Sequence, residues 1–261
     1  MNDVAKKETG NNIVTFDASM FLEDADTATE NMTSDSFQIP RLYLLQNASD
    51  AIKKSSDKYV TDAEAGNILE SATQTVHDGK KGITFVPAYY ERTWIEWSAD
   101  GKSFIKDHGS DLAAIGDGQY VGNTYKFLTT EGTEVRETAN YYGLLVDGES
   151  VDPVVLPMSK TNLTSSKQFN MMMARLRIPH PKKQGETFNP ASFWNAYLLT
   201  TGEKQFASGP AFVYKAMPLF NAESGGVVNN LPNGEQIYLQ AKKLRDDIKK
   251  GDAKANDADM I

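Results

Sequence analysis

The side chains with the clearest chemical potential are aromatic rings placed beside cations in one strand-like segment. Two tyrosines, two tryptophans and an arginine lie within nine residues, from Tyr89 to Trp97. Alternate residues of a strand face the same side, so Tyr90, Arg92 and Trp94 are predicted to share the wetter face. Ordinary cross-strand packing explains each ring equally well. The opposite face, which we expect to be core, carries Ile83, Phe85, Tyr89, Ile95 and Trp97.

A second group of side chains is basic, in a chain whose formal net charge is −8 at pH 7. Between residues 160 and 183 there are six cations and no aspartate or glutamate. Such a cluster is typical of a surface that contacts phosphates. A solvated helix face beside a loop is an equally good explanation on charge alone. The six are Lys160, Lys167, Arg175, Arg177, Lys182 and Lys183.

Rings and cations together are what a protein needs to hold unpaired nucleic acid. Unpaired bases stack on aromatic side chains, at about 1–3 kcal/mol per base, while Lys and Arg follow the backbone. We therefore predict sequence-tolerant binding of single-stranded DNA. The six cations are expected to contact phosphates, and Tyr90, Trp94 and Tyr43 are expected to stack bases. Arg92, which lies between Tyr90 and Trp94, is also expected to contact the DNA. Affinity should fall as the salt concentration rises.

Residue patterns typical of catalysis are missing from the sequence. There is no cysteine, and no phosphate-binding loop or nucleophile elbow occurs. The histidines, His77, His108 and His180, are scattered and none has a second histidine at metal-ligand spacing. Carboxylates are plentiful, but no pair stands out as an acid and base. We predict a non-enzymatic protein with no metal and no cofactor.

Composition divides the chain into four parts. Residues 1–38 are polar and acidic and are predicted to form a largely disordered arm, followed by a core over residues 39–222. Residues 223–250 are predicted to form a linker and an amphipathic helix, and residues 251–261 a short acidic tail. No apolar segment suits a secretory signal or a membrane span, so no membrane partner is expected.

The order of the predicted elements indicates the fold class. Several strands precede a helix over residues 163–177. Among them is a long one over residues 82–97, in which Pro87 predicts a bulge, a bend or an edge position. Two more strands and the terminal helix follow. This order predicts a mainly β fold with α elaborations, an OB-like barrel with an inserted helix and a C-terminal helix. A β-sandwich is the alternative.

The terminal helix carries one apolar stripe that needs a partner surface. Ile237, Ala241, Leu244 and Ile248 are spaced at i, i+4, i+7 and i+11, which places them on one side. The stripe can pack inside the fold or against a second subunit. The sequence therefore leaves open whether the protein is a homo-oligomer.

Several short segments resemble those of a family of tailed-bacteriophage single-stranded-DNA-binding proteins. The resemblance spans roughly residues 37–220 and lies in Ile39–Gln46, Gly66–Ile68, Phe85–Tyr90, Pro157–Thr161 and Tyr197–Thr201. It implies an OB-like core that coats single strands cooperatively in phage DNA replication or recombination, in the cytoplasm of the infected bacterial host. Such proteins often recruit replication or recombination proteins through a longer acidic C-terminus. Here that segment, Asp252–Ile261, is brief, and a frayed terminus is the alternative for it.

Two rival functions use the same residues. A phage structural or assembly protein would use the aromatic face for protein contacts, and it would self-assemble without affinity for DNA. A carbohydrate-binding sandwich would place the rings against sugars. The basic segment argues against the carbohydrate function, because neutral glycans do not require six cations.

Overall fold

The structure, a computed structural model, describes residues 39–101, 103–111, 115, 119–121, 124–128, 132–253 and 255. These residues belong to one compact unit, residues 38–261. The predicted arm over residues 1–38 lies outside the described residues, as does most of the predicted acidic tail.

The described residues form thirteen strands and three α-helices. The strands are β1 Leu42–Leu44, β2 Ile68–Glu70, β3 Val76–His77, β4 Ile83–Trp97, β5 Phe104–Asp107, β6 Gln119–Val121, β7 Thr124–Leu128, β8 Glu134–Asp147, β9 Ser150–Ser159, β10 Ile178–Pro179, β11 Thr187–Phe188, β12 Tyr197–Phe206 and β13 Gly209–Pro218. The helices are α1 Leu163–Arg175, α2 Gly226–Asn230 and α3 Gly234–Lys250. Short 3-10 helices cover Asp50–Ile52, Lys160–Asn162 and Ser192–Trp194.

Two long antiparallel strands, β4 and β8, form the centre of the main sheet, whose order is β13-β12-β4-β8-β7-β6. The first part of β4 pairs with β12 and its last part with β5. The first part of β8 pairs with β7, and the rest with β9. β4 and β8 therefore run through the whole sheet, with β12 and β9 flanking one end of this pair and β5 and β7 flanking the other. All of these pairings are antiparallel.

A β-bulge in β4 changes which side chains share a face. Val86 pairs with Leu144 and Pro87 with Gly143, but the next pair joins Tyr89 to Tyr142. The extra residue, Ala88, reverses the alternation. The bulge predicted at Pro87 is thus confirmed. The predicted grouping of Ile83 and Phe85 with Tyr89, Ile95 and Trp97 was wrong, because simple alternation ignored this extra residue; Ile83 and Phe85 instead share a core cluster with Tyr141, which Tyr90 contacts.

Helix α1 covers one face of the sheet. Its buried Phe169 has its ring centroid 5.0 Å from that of Tyr141 and 4.8 Å from that of Tyr197. Burying a phenylalanine contributes about 1.5–3 kcal/mol, so this ring is a main attachment of α1 to the sheet. The helix ends before Ile178-Pro179, since proline cannot continue the hydrogen-bond ladder.

Helix α3 covers the opposite face. Its Ile237, Ala241 and Leu244 are buried in a cluster with residues of β4 and β8, among them Val86 and Leu144. The apolar stripe predicted from the sequence therefore packs inside the fold.

The predicted fold class, mainly β with α elaborations, is confirmed. The helix predicted over residues 163–177 is α1, and the predicted C-terminal helix is α3. The sheets formed by the described residues are open, with β13 at one end and β6 at the other, and none of them closes on itself. The closed form of the OB-like barrel is therefore not present in this part of the chain.

Side-chain amides cover the open edge of β13. The Gln46 amide donates from Nε2 to the Phe212 carbonyl at 3.0 Å and accepts from the Phe212 N–H at 2.9 Å. The Asn162 Oδ1 accepts from the Tyr214 N–H at 2.8 Å. Unpaired edges invite pairing with other chains, so these amides protect the strand and draw residues 46 and 162 together.

Within the described residues, none of the helices is both long and apolar enough to cross a membrane.

Candidate nucleic-acid interface

The outer side of α1 is basic. Ser166 and Phe169 are buried against the sheet, whereas Lys167, Met171 and Arg175 are exposed. Residues spaced by four lie on one side of a helix, so the two cations flank Met171 along a single stripe. At a rise of about 1.5 Å per residue, Lys167 and Arg175 are about 12 Å apart along the axis.

A buried hydroxyl fixes α1 in its orientation. The Tyr141 hydroxyl donates to the Asn170 Oδ1 at 2.9 Å and lies 2.8 Å from the Ser166 Oγ. Burial raises the pKa of Tyr141, so the phenol stays protonated and remains a donor at neutral pH. The outer stripe of α1 is therefore presented at a defined angle to the sheet.

The basic segment continues into a small hairpin made by β10 and β11. The hairpin places Lys182 and Lys183 near its exposed tip, where Lys183 forms an ion pair with Glu186 at 3.2 Å. The ring of Phe188 is 37% exposed and lies 5.6 Å from that of His180. Cations and an accessible ring thus occur together here, as they do in strand β4.

Arg177 joins the helix to this hairpin. Its Nη1 donates to the carbonyls of Ala174 at 3.1 Å and Leu176 at 3.2 Å. A cation at the carboxyl end of a helix stabilises the last carbonyl groups. Arg177 therefore has a structural role as well as an exposed charge.

All six predicted cations lie on the surface of one continuous stretch of chain. Each is exposed, and Glu186 follows them at the end of the hairpin loop. We call this set the basic ridge; it comprises Lys160, Lys167, Arg175, Arg177, Lys182 and Lys183.

Tyr90 lies beside α1 with part of its ring open to solvent. Its ring is 39% exposed and has its centroid 5.1 Å from that of Tyr141, whose hydroxyl bonds to α1. Arg92 is also exposed, and its Nη1 is 3.9 Å from the Glu137 Oε1. The predicted position of these two residues on the wetter part of the strand agrees with their exposure.

Trp94 does not have the open ring expected of it. It is only 8% exposed and packs with Val135 and Ile115. The Arg92 guanidinium lies 5.9 Å from its ring centroid. The expectation that Trp94 lies on the wetter face for base stacking was wrong, because residues distant in sequence cover the indole.

Trp97, expected in the core, is half-buried and lines a cavity instead. The cavity has a volume of about 420 Å³. Three rings and two cations contribute to its wall: Tyr43, Trp97, Tyr214, Arg41 and Lys160. The cavity therefore brings together two predicted site residues, Tyr43 and Lys160, with three others.

Hydrogen bonds of buried polar groups hold the wall of this cavity in position. The Tyr214 hydroxyl donates to the Leu42 carbonyl at 3.3 Å, and burial raises the pKa of Tyr214, so the hydroxyl stays protonated. Arg41 is 2% exposed, and its backbone N–H donates to the Ser71 Oγ at 2.9 Å. The Tyr214 hydrogen bond holds β13 against β1, and the Arg41 hydrogen bond ties the residue before β1 to the residue after β2.

Lys160 has a strained backbone at the entrance to α1. Its φ is 51°, in the left-handed region that glycine tolerates best. A non-glycine residue there costs roughly 1–2 kcal/mol. The strain sets the sharp change of direction between β9 and α1 and places the Lys160 side chain beside the cavity.

The predicted residues thus lie in three different parts of the surface. Tyr43 and Lys160 line the cavity, Tyr90 lies beside α1, and the other cations follow α1 and the hairpin. Sequence reasoning missed Arg41 and Trp97. A charged residue within the apolar run Ile39–Leu45 is the signal that could have identified Arg41, since buried charges are rare without a specific role.

A buried, hydrogen-bonded carboxylate elsewhere stabilises the sheet. Glu96 accepts hydrogen bonds from the Thr133 hydroxyl and from the His108 Nε2, the latter at 2.7 Å. The Thr133 hydrogen bond lowers the pKa of Glu96 although burial opposes it, and His108 lowers it further. These hydrogen bonds join β4 to the residue just after β5 and to the residue just before β8. Among the described residues, no cluster of three or more His, Asp or Glu could hold a metal ion.

Comparison with known proteins identifies a family. A family model described as Pam3 phage gp34-like protein matches residues 8–254. No curated protein matches the chain, and no solved structure matches it.

Proposed function

We propose that the chain, which belongs to the Pam3 phage gp34-like family and is therefore a bacteriophage protein, binds single-stranded DNA. The binding is sequence-tolerant and serves phage DNA replication or recombination in the cytoplasm of the infected cell. The protein acts by binding and carries out no catalytic step. Replication or recombination proteins are its further partners, through the C-terminal tail.

The observation that carries this proposal is the basic ridge. Six exposed cations occur on consecutive parts of the chain, although the whole protein has a formal net charge of −8. Lys167, Arg175 and Lys182 form no ion pair within the described residues. Local positive charge on an acidic protein favours a polyanion at that surface and repels it elsewhere.

The rings beside the ridge favour single strands over duplex. Tyr90 lies beside α1, and Phe188 lies on the hairpin that carries Lys182 and Lys183. Each base of a single strand has faces that can stack on such rings, whereas a duplex keeps its bases stacked on one another. A surface that only neutralised phosphates would not distinguish single strands from duplex.

Fluorescence anisotropy with labelled (dT)30 and with a duplex of the same length tests the proposal. We expect the protein to bind (dT)30 more tightly than duplex, with affinity that falls as salt is added. Tyr90→Ala should weaken binding of (dT)30 by about 1–3 kcal/mol, and Tyr59→Ala, at a half-buried ring far along the chain from the ridge, should not. Preference for duplex, or affinity independent of salt, would refute it.

A second candidate, a phage assembly protein, has one specific observation in its favour. Met217 near the end of edge strand β13 is 55% exposed, and Leu219 just beyond the strand is also exposed. Exposed apolar side chains at a sheet edge are suited to protein contacts. Sedimentation equilibrium would support this candidate if the protein self-associated while showing no affinity for (dT)30, and if Met217→Lys abolished the association.

A further inference from the structure

We infer that the cavity beside Lys160 is a nucleotide pocket, which takes one unstacked base together with its phosphate. The inference deepens the proposed function and rests on it, because the rest of the strand would continue from the pocket along the basic ridge. The pocket would anchor one position of the strand, while the ridge holds the following phosphates.

The size of the cavity fits a small ligand. Its volume of about 420 Å³ lies within the roughly 300–1,000 Å³ typical of ligand sites. Its wall comes from five separate parts of the chain, around residues 41–48, 97, 138, 157–162 and 210–214. The amide of Gln46 and the hydroxyl of Tyr214 tie residues 41–48 to residues 210–214, and the Asn162 side chain ties residues 157–162 to the same strand. The pocket is therefore a built feature of the fold.

The lining offers the two kinds of contact that a base requires. Tyr43 and Trp97 are half-buried rings that line the cavity, and aromatic rings of this kind can contact a base. Asn47 and Thr161 add side chains that both donate and accept hydrogen bonds. These groups suit a flat heteroaromatic ring with a polar edge.

The charged residues of the lining favour an anion. Both formally charged side chains that the structure describes around the cavity, Arg41 and Lys160, are cations. Arg41 is almost fully buried. Lys160 is exposed. A phosphate attached to the bound base would therefore be attracted by a cation inside the pocket and by another at its edge.

The position of Lys160 links this pocket to the ridge. It is the first of the six cations, and α1 begins three residues later at Leu163. A glycine at position 160 would adopt this backbone conformation without strain. The lysine is less favourable for the backbone, so its contribution must come from its side chain. A strand whose phosphate lies on Lys160 would meet Lys167 next along α1.

Titration of the intrinsic tryptophan fluorescence with dTMP tests the pocket. We expect saturable quenching through Trp97, and at least about tenfold weaker binding of thymidine, which lacks the phosphate, and of deoxyribose 5-phosphate, which lacks the base. Lys160→Gly should weaken dTMP binding about tenfold while leaving the unfolding midpoint unchanged or higher. Gln74→Gly relieves a similar left-handed backbone, φ 57°, outside the cavity and should leave dTMP binding unchanged.

Parallel titrations with (dT)30 separate the two proposals. If (dT)30 binds but dTMP fails to quench up to about 10 mM, the pocket is refuted while the proposed function stands. If dTMP binds and (dT)30 gains no affinity over it, the pocket stands and the proposed function fails. Equal binding of dTMP by the protein and by Lys160→Gly would also overturn the pocket.

Discussion

Removal of ridge cations should reduce the salt dependence of single-strand binding by a calculable amount. Each phosphate neutralised on a single strand contributes about −0.7 to the slope of log affinity against log salt. If all six ridge cations contact phosphates, the slope is about −4. Affinity should then fall about 300-fold between 50 and 200 mM salt.

The variant Lys167→Gln, Arg175→Gln, Lys182→Gln removes three of these cations. None of the three forms an ion pair within the described residues, so the folded protein should lose little stability. Its slope should be about −2, and affinity should fall only about 20-fold over the same range of salt. Anisotropy titrations of labelled (dT)30 at four or more salt concentrations measure both slopes.

A matched variant removes the same charge elsewhere. Lys54, Lys58 and Lys243 are exposed and lie outside the ridge, so their replacement by Gln should leave the slope near −4. If both triple variants changed the slope equally, net charge rather than the ridge would govern binding. An unchanged slope in the ridge variant would refute the assignment of phosphate contacts.

Three further predictions concern stability, measured by denaturant unfolding. Gln46→Ala should cost about 1–3 kcal/mol, because it removes two hydrogen bonds that cover the edge of β13; an unchanged midpoint would contradict this. The lowered pKa of Glu96 stabilises the fold above the unfolded value, near 4.5, and this contribution is lost as pH falls through the folded pKa. Thr133→Val, which removes the largest cause of the shift, should lower stability at pH 7 and make the loss on acidification smaller than in the unmodified chain; parallel pH profiles would contradict it. Gly143→Ala should cost about 1–3 kcal/mol, since the added carbon would lie 2.4 Å from the Phe85 ring and 2.5 Å from a backbone oxygen; a stable variant would show that the strands can separate there.

Periodicity within single elements was enough to predict most of the fold. The long strand β4, the helix α1 and the helix α3 each have a pattern that short-range reasoning detects. The same reasoning erred where one extra residue intervened. The bulge at Ala88 reversed the faces of β4, although Pro87 had indicated the irregularity.

The candidate site was harder to predict because distant residues build it. Trp94 is covered by Val135 and Ile115, and neither is near it in sequence. The cavity joins Tyr43 to Trp97, Lys160 and Tyr214 through contacts that no local pattern encodes. The basic segment was predictable, since its six cations lie within residues 160–183 with no acidic residue between them, and all six lie on the surface.

Photocrosslinking tests the central claim most directly, namely that the basic ridge and its neighbouring rings form the nucleic-acid interface. A single-stranded oligomer containing 5-iododeoxyuridine would be crosslinked to the full chain, and the modified peptides would be mapped by mass spectrometry. We predict crosslinks at Tyr90 and within residues 160–188. Crosslinks confined to α3 or to the sheet face that α3 covers would contradict the account.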